Sequence, residues 1–192
     1  MPSNAFVPSL LDVVNQVLSE LGRLPVDNVE SDQNALLISQ RIPYLLPELL
    51  LRTPWNWAIK YVTDNNPITQ NFSPEYTYTY QLPADYGRMF KFWQMWYDYT
   101  IIDNFVLANQ RPINYYYVVN NTDIDILPPL FFQLLVLYTA SRVALALTEN
   151  QKLFQYLDQQ YRMKLADAIR QNDMDRRIMS TPHNDFDRLS YI

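Results

Sequence analysis

The stretch 130–148, LFFQLLVLYTASRVALALT, decides how the rest of the chain is read. It is apolar on nearly every side of a helical projection. Its one charge is Arg142, and up to Leu147 it also contains Gln133, Thr139 and Ser141. A helix of this length, at about 1.5 Å per residue, comes close to spanning a bilayer. A mid-helix arginine costs about 2.5–3.5 kcal/mol on insertion, however, and no basic cluster flanks the run. The expected placement is therefore a buried core helix rather than a membrane span. A helix without a polar face must be surrounded by other helices. Pro128-Pro129 starts it, since proline lacks an amide that the first helical turn leaves unpaired anyway.

On the C-terminal side, Glu149-Asn150 breaks the run, and residues 151–172 place Leu153, Phe154, Leu157, Tyr161, Leu165 and Ile169 along one side. Asp158, Arg162, Asp167 and Arg170 fall on the other, so a second long helix with a solvated or partner-facing side is predicted. Near the N-terminus, Leu10, Val13, Val14, Val17, Leu18 and Leu21 repeat with helical period, with Pro8 suited to the first turn and Gly22 to the stop. A further helix follows Ser31 or Asp32 as cap and carries Ala35, Ile38, Ile42, Leu45, Leu46 and Leu49. Pro43 and Pro47 each delete a backbone hydrogen bond, which predicts either a kink or two shorter helices meeting near Arg41.

Between these helices the texture changes. Trp55 to Val62 reads as a helix exit into a strand, and Glu75 to Leu82 alternates tyrosine with threonine at period two before Pro83. Aromatic and β-branched runs over 89–97, 99–107 and 113–119 are separated by Asp103-Asn104, Asn109-Gln110 and Asn120-Asn121. The expected fold is thus mainly α with a β insertion. Residues 1–54 and 128–172 form a helical bundle of four principal helices, and 55–127 form an inserted, aromatic-rich lobe with a small antiparallel sheet. Residues 173–192 form an extended C-terminal tail, because the period is lost there and Pro182, Asn184 and mixed charges intervene.

Composition removes much chemistry. In 192 residues there is no cysteine, one histidine and two glycines, against 15 tyrosines, nine phenylalanines and four tryptophans. Thiol nucleophiles, zinc fingers and nearly all histidine-based mechanisms are excluded, and two isolated glycines cannot build a phosphate loop. The net charge of −5 disfavours a general grip on nucleic acid. His183 lies in the tail beside Asp185 and Asp187, without the fixed geometry that a general base needs. Asp123 and Asp125 resemble part of a calcium loop but lack its glycine and last acidic ligand, so a turn is expected there instead. Asn71-Phe72-Ser73 and Asn120-Asn121-Thr122 match the glycosylation pattern by chance, since Met1 to Phe6 carries no secretory leader and a cytoplasmic location is expected.

No catalytic residue, metal or cofactor is expected. Distant carboxylates could still serve glycoside hydrolysis, but no pair stands out. Tyr76, Tyr78, Tyr80 and Tyr115 to Tyr117 could stack bases, yet only Lys91 and Arg111 are near them in sequence. These rings, with Trp55 and Trp57, are expected to pack in the lobe or across an inter-subunit or tail interface, where tyrosine and tryptophan are enriched. Arg176-Arg177, with Ile178, Met179, Phe186, Leu189, Tyr191 and Ile192 as apolar anchors, fits a tail that orders on a partner.

The order of motifs goes further. Trp55-Asn56-Trp57-Ala58, then Tyr80-Gln81-Leu82-Pro83-Ala84-Asp85-Tyr86, then Asp123-Ile124-Asp125 and the Pro128-Pro129 helix with Ala140, Arg142, Ala144 and Ala146, resembles the head-to-tail connector (adaptor) proteins of short-tailed bacteriophages, the tail tubular protein A group. The resemblance covers about 10–172. It implies a helical bundle with a β lobe, assembled as a homo-oligomeric ring, a dodecamer, between the portal protein and the tail (nozzle) protein. Double-stranded DNA would pass through the lumen without specific binding, in a virion assembled in the host cytoplasm and with no membrane partner. It further implies that Arg176, Arg177, Ile178, Phe186, Leu189, Tyr191 and Ile192 contact the portal. The alternatives are a phage cell-wall hydrolase using distant carboxylates and a host helical interaction module.

Overall fold

The computed structural model describes residues 7–70, 72–92 and 98–179. Ser9 sets the first helix, α1 (Leu10–Glu20). Its hydroxyl accepts the Asp12 amide at 3.2 Å, and the Asp12 carboxylate takes the Ser9 amide at 2.8 Å, a reciprocal capping box. Pro8 precedes the cap rather than entering the first turn. At the other end Gly22 adopts φ 70°, which lets its amide reach the Ser19 carbonyl and the Arg23 amide reach the Leu18 carbonyl, both at 2.9 Å. Those two bonds close the helix as a Schellman motif, for which glycine has the least steric cost.

The second helix, α2 (Gln33–Arg52), is capped by Asp32, whose carboxylate accepts the amides of Asn34 and Ala35 at 2.8 and 2.9 Å. It is one continuous helix, neither divided at Arg41 nor replaced by two shorter pieces. The prolines stand four residues apart on its outer side, Pro43 exposed and Pro47 half-buried, so the carbonyls they leave unpaired lie toward water rather than in the core. The buried stripe is Ala35, Ile38, Ile42, Leu46 and Leu49, with Leu45 only half-buried.

The third helix, α3 (Pro129–Thr148), follows a 3-10 turn over Ile124–Ile126 that Asp123 and Asp125 flank or occupy. It packs against α1 and against the fourth helix, α4 (Gln151–Met179). By length and composition it could cross a membrane. Phe131, Leu134, Leu135, Tyr138, Ala140 and Val143 are nevertheless covered by protein, each such large side chain contributing about 1.5–3 kcal/mol. Glu149 turns the chain at φ 52°, and the Asn150 side chain caps α4 by accepting the Lys152 and Leu153 amides, both at 3.1 Å. A two-residue turn leaves α3 and α4 only an antiparallel arrangement. Arg23 completes the α3 terminus by donating to the Leu147 carbonyl at 2.6 Å.

The expected break at Asp173 is absent, because α4 runs unbroken to Met179. Pairs at helical spacing, Asp167 with Arg170 and Asp173 with Arg176, support the helix where apolar anchors thin out. Residues 180–192 lie outside the described residues.

Residues 50–121 form a second compact unit, so its limits fall at Leu50 and Asn121 rather than at 55 and 127. It holds two three-stranded antiparallel sheets instead of one. In the first, β6 (Ile113–Val119) is central between β1 (Ile59–Asp64) and β3 (Tyr86–Phe92). In the second, β5 (Phe105–Ala108) is central between β2 (Tyr78–Gln81) and β4 (Tyr99–Ile102). The run 99–107 is therefore a hairpin, turned by Asp103-Asn104 with Asp103 at φ 51°, a left-handed conformation that aspartate tolerates better than most residues. Registers in the first sheet, Val62 with Tyr115 and Lys60 with Tyr117, place Tyr115, Tyr117 and Ile113 of β6 on the buried face.

Candidate functional site

Each ring singled out from sequence has a defined place. Tyr80, Tyr115, Tyr117 and Trp55 are at most 3% exposed, so these four serve the core and offer almost no area to a neighbour in this conformation. Tyr80 donates its hydroxyl to the Gln110 carbonyl at 2.7 Å, while Tyr115 lies between Phe92 and Tyr117 at ring distances of 5.8 and 6.2 Å. Burial pushes the Tyr115 hydroxyl up to about 12. Trp57, Tyr76 and Tyr78 are half-buried and keep an open side, and Tyr76 donates to Asp98 at 3.4 Å. Lys91, whose scarcity of basic neighbours argued against base stacking, stands 4.9 Å from the centre of the Tyr116 ring, which also lies 4.8 Å from Tyr61.

One polar cluster in the lobe was not foreseen. Asp85, at the end of the Leu82-Pro83-Ala84-Asp85 turn, accepts the Lys60 ammonium at 2.6 Å and the Tyr117 hydroxyl at 2.7 Å, and its carbonyl takes the Asn120 amide at 2.7 Å. The hydrogen bonds from Lys60 and Tyr117 hold its carboxyl below the usual range. Burial first, and then the Asp85 carboxylate, raise Tyr117 in turn. Asp85 and Tyr117 each stood out in sequence, but for other reasons, and Lys60 did not. Lys60 is 25 residues from Asp85 and meets it only through the sheet.

In the helical unit, Arg176 pairs with Asp173 at 3.8 Å, and Arg177 and Ile178 fall in the final turn of α4. Phe186, Leu189, Tyr191, Ile192 and His183 lie outside the described residues. Among the described residues no group of three acidic or histidine side chains is arranged to hold a metal ion.

A groove of about 320 Å³ lies between α2 and α3. Leu37, Leu45, Val143 and Ala146 give it apolar walls, and Arg41, Glu48 and Arg142 add charge. Beside it the Arg142 guanidinium lies 4.9 Å from the centre of the Tyr138 ring and donates to its hydroxyl at 3.4 Å. Burial, then a hydrogen bond with Glu48, raises the Tyr138 hydroxyl. Such a groove can seat apolar side chains next to fixed charges. Set against known protein families and curated proteins, the chain matches no family model and no curated sequence.

Proposed function

We propose that the chain is a structural subunit of a head-to-tail connector, a homo-oligomeric ring, dodecameric by resemblance, that joins a portal to a tail and forms part of a DNA exit channel. The observation that carries this is the order of elements along the chain. Two helices lead through Trp55-Asn56-Trp57-Ala58 into a β lobe that contains the Leu82-Pro83-Ala84-Asp85 turn, and a proline-started apolar helix and a long final helix follow. This is the arrangement implied by the family that the motifs resemble. A net charge of −5 also suits a ring through which DNA slides, because a basic lumen would hold phosphates.

In this reading the end of α4 with Arg176, Arg177 and Ile178, and the segment bearing Phe186, Leu189, Tyr191 and Ile192, contact the portal. The open sides of Trp57, Tyr76 and Tyr78 remain for neighbours or the tail protein. The test is native mass measurement of the purified chain mixed with the portal ring encoded in the same genome. The expected product carries twelve copies of the 22.8 kDa chain per portal ring. A chain that stays monomeric beside the portal and does not bind it overturns the proposal.

A further inference from the structure

β3 is irregular where it pairs with β6, and the irregularity decides what the first sheet presents. Side chains three apart on a regular strand point to opposite sides. The register of β3 shifts between Met89 and Lys91, however, so Arg88 falls opposite Val118 and Lys91 opposite Tyr116, two positions that share one side of β6. The bulge thus sets both cations on one face, about 7 Å apart along the strand. Tyr61 and Thr63 of β1 share that face, opposite Tyr116 and Asn114. It is closed at the Val118 end, where the side chain is buried, and open at the other, where Thr63 and Lys91 are exposed and Tyr61 is 49% exposed.

The groups left over on this face are donors. Arg88 is half-buried, its Nε is covered and has no acceptor, and it makes no ion pair among the described residues. A guanidinium partly out of water and without an acceptor is costly. Lys91 makes no ion pair or hydrogen bond among the described residues either, and its ammonium stands 4.9 Å from the centre of the Tyr116 ring. The Tyr61 and Thr63 hydroxyls both donate to Asn114 Oδ1, at 3.1 and 2.8 Å, so the Asn114 amide turns an NH2 without an acceptor away from them. The registers put no carboxylate here, since Asp64 points to the opposite side with Ile113, and Asp85 meets Lys60 and Tyr117 on that same opposite side. In a chain of net charge −5, two cations and an amide therefore face outward with no anion to meet them.

The rings select among anions. Tyr116 has Lys91 at 4.9 Å and Tyr61 at 4.8 Å, tilted by 43°, so the pair holds the ammonium rather than offering parallel steps on which bases stack. The acidic chain as a whole repels a long polyanion, whereas a few carboxylates on a peptide are felt within a Debye length of about 8 Å. An extended peptide presents every second side chain on one side, at about 7 Å, the separation of Arg88 and Lys91. Among the described residues the chain's own alternate aspartates flank a 3-10 turn, Asp123 and Asp125, or lie in α4, Asp173 and Asp175. Neither pair is extended, which points to a different protein rather than a second copy.

We propose that this face of the first sheet binds an extended acidic segment of another protein, with one carboxylate on Arg88, the carboxylate two residues along on Lys91, and an oxygen of the segment accepting from the Asn114 amide. With Nε covered, the terminal nitrogens of Arg88 take the carboxylate by two parallel bonds. This contact is separate from the portal contact proposed above and stands without it.

Carbodiimide, which joins a carboxylate to an ammonium only where the two already touch, tests the contact on the full chain. The four lysines are Lys60, Lys91, Lys152 and Lys164. A decapeptide with aspartate at alternate positions should be joined at Lys91 and not at Lys152 or Lys164, and its asparagine counterpart at none. In fluorescence anisotropy with the labelled peptide at about 50 mM salt, Lys91→Gln and Arg88→Gln should each weaken binding about fivefold, and Lys152→Gln should leave it within about twofold. Lys152 is exposed and carries the same charge, so its variant measures the general electrostatic effect. Lys91 is exposed as well, so its variant decides the matter if Arg88→Gln does not fold. No binding to the parent chain at about 1 mM overturns the proposal, and so does equal weakening by all three variants. Tighter, Lys91-dependent capture of a labelled oligothymidylate overturns it in favour of nucleic acid, and chain-to-chain joining at Lys91 without peptide overturns it in favour of a second copy.

Discussion

Gly87 sits in β3 at a register shift, and a β-carbon built there would lie 2.5 Å from Leu51 Cδ2 and 2.8 Å from the Val118 carbonyl oxygen. The backbone contact cannot yield as a side-chain tip can, so glycine is required for close approach. Gly87→Ala is expected to cost about 2–3 kcal/mol, read from the urea midpoint. A second residue-scale prediction concerns Asp85 and Tyr117. The Asp85 carboxyl is held low in the folded chain, so its contribution is present above about pH 4 and is lost as pH falls through the folded value. Tyr117 is raised, so its contribution is present below about pH 10 and is lost as pH rises through the folded value. Stability against pH should therefore fall on both limbs. Asp85→Asn should flatten the acid limb and lower mid-range stability by about 1–2 kcal/mol, a modest figure because Lys60 is well exposed. An acid limb unchanged in this variant would contradict the assignment.

Among the elements, α1 is legible in sequence because cap, apolar stripe and terminal glycine are all local signals. α2 is legible in its stripe but not in its continuity, since whether a proline breaks a helix depends on which side carries the freed carbonyl, a tertiary fact. Pro43→Ala should restore a backbone bond on an exposed side and raise stability by about 1–2 kcal/mol, after allowing for the entropy proline removes from the unfolded chain. Denaturant titration would show it. The hairpin β4–β5 was legible only in part, since Asp103-Asn104 stood out as polar punctuation inside the run 99–107 but the left-handed turn there is supplied by aspartate rather than glycine. The end of α4 was hidden because its support is electrostatic. Asp173 and Arg176 at a spacing of three are the signal that could have extended it. A deletion test of portal contact should accordingly start after Met179, which leaves α4 whole. That truncation is expected to abolish portal capture with the thermal midpoint unchanged, whereas a cut after Asn172 would remove two turns of helix and confuse the two effects.

At the scale of the molecule, the division into a helical unit and an aromatic lobe was readable because the two halves follow different periods. The groove was not readable, because α3 is apolar all round and nothing in its sequence says which flank its neighbours leave bare. Tyr80 of the edge strand β2 is as buried as Tyr115 and Tyr117 of the central strand β6, while Tyr116 of β6 and Tyr78 of β2 are only half-buried, so the burial of each ring depends on what packs over it, which alternation alone does not reveal. The length of α4 has a mechanical consequence. Its 29 residues make a rod of about 43 Å that joins α3 at the Glu149-Asn150 turn, is packed through Leu157, Tyr161 and Ala168, and outlasts α3 by nine residues. A rod of that length is a lever. Tilting it by about 5° at the turn would swing its far tip by about 4 Å, so a load applied near Met179 is passed, with mechanical advantage, to the packing beneath Tyr138 and Tyr161.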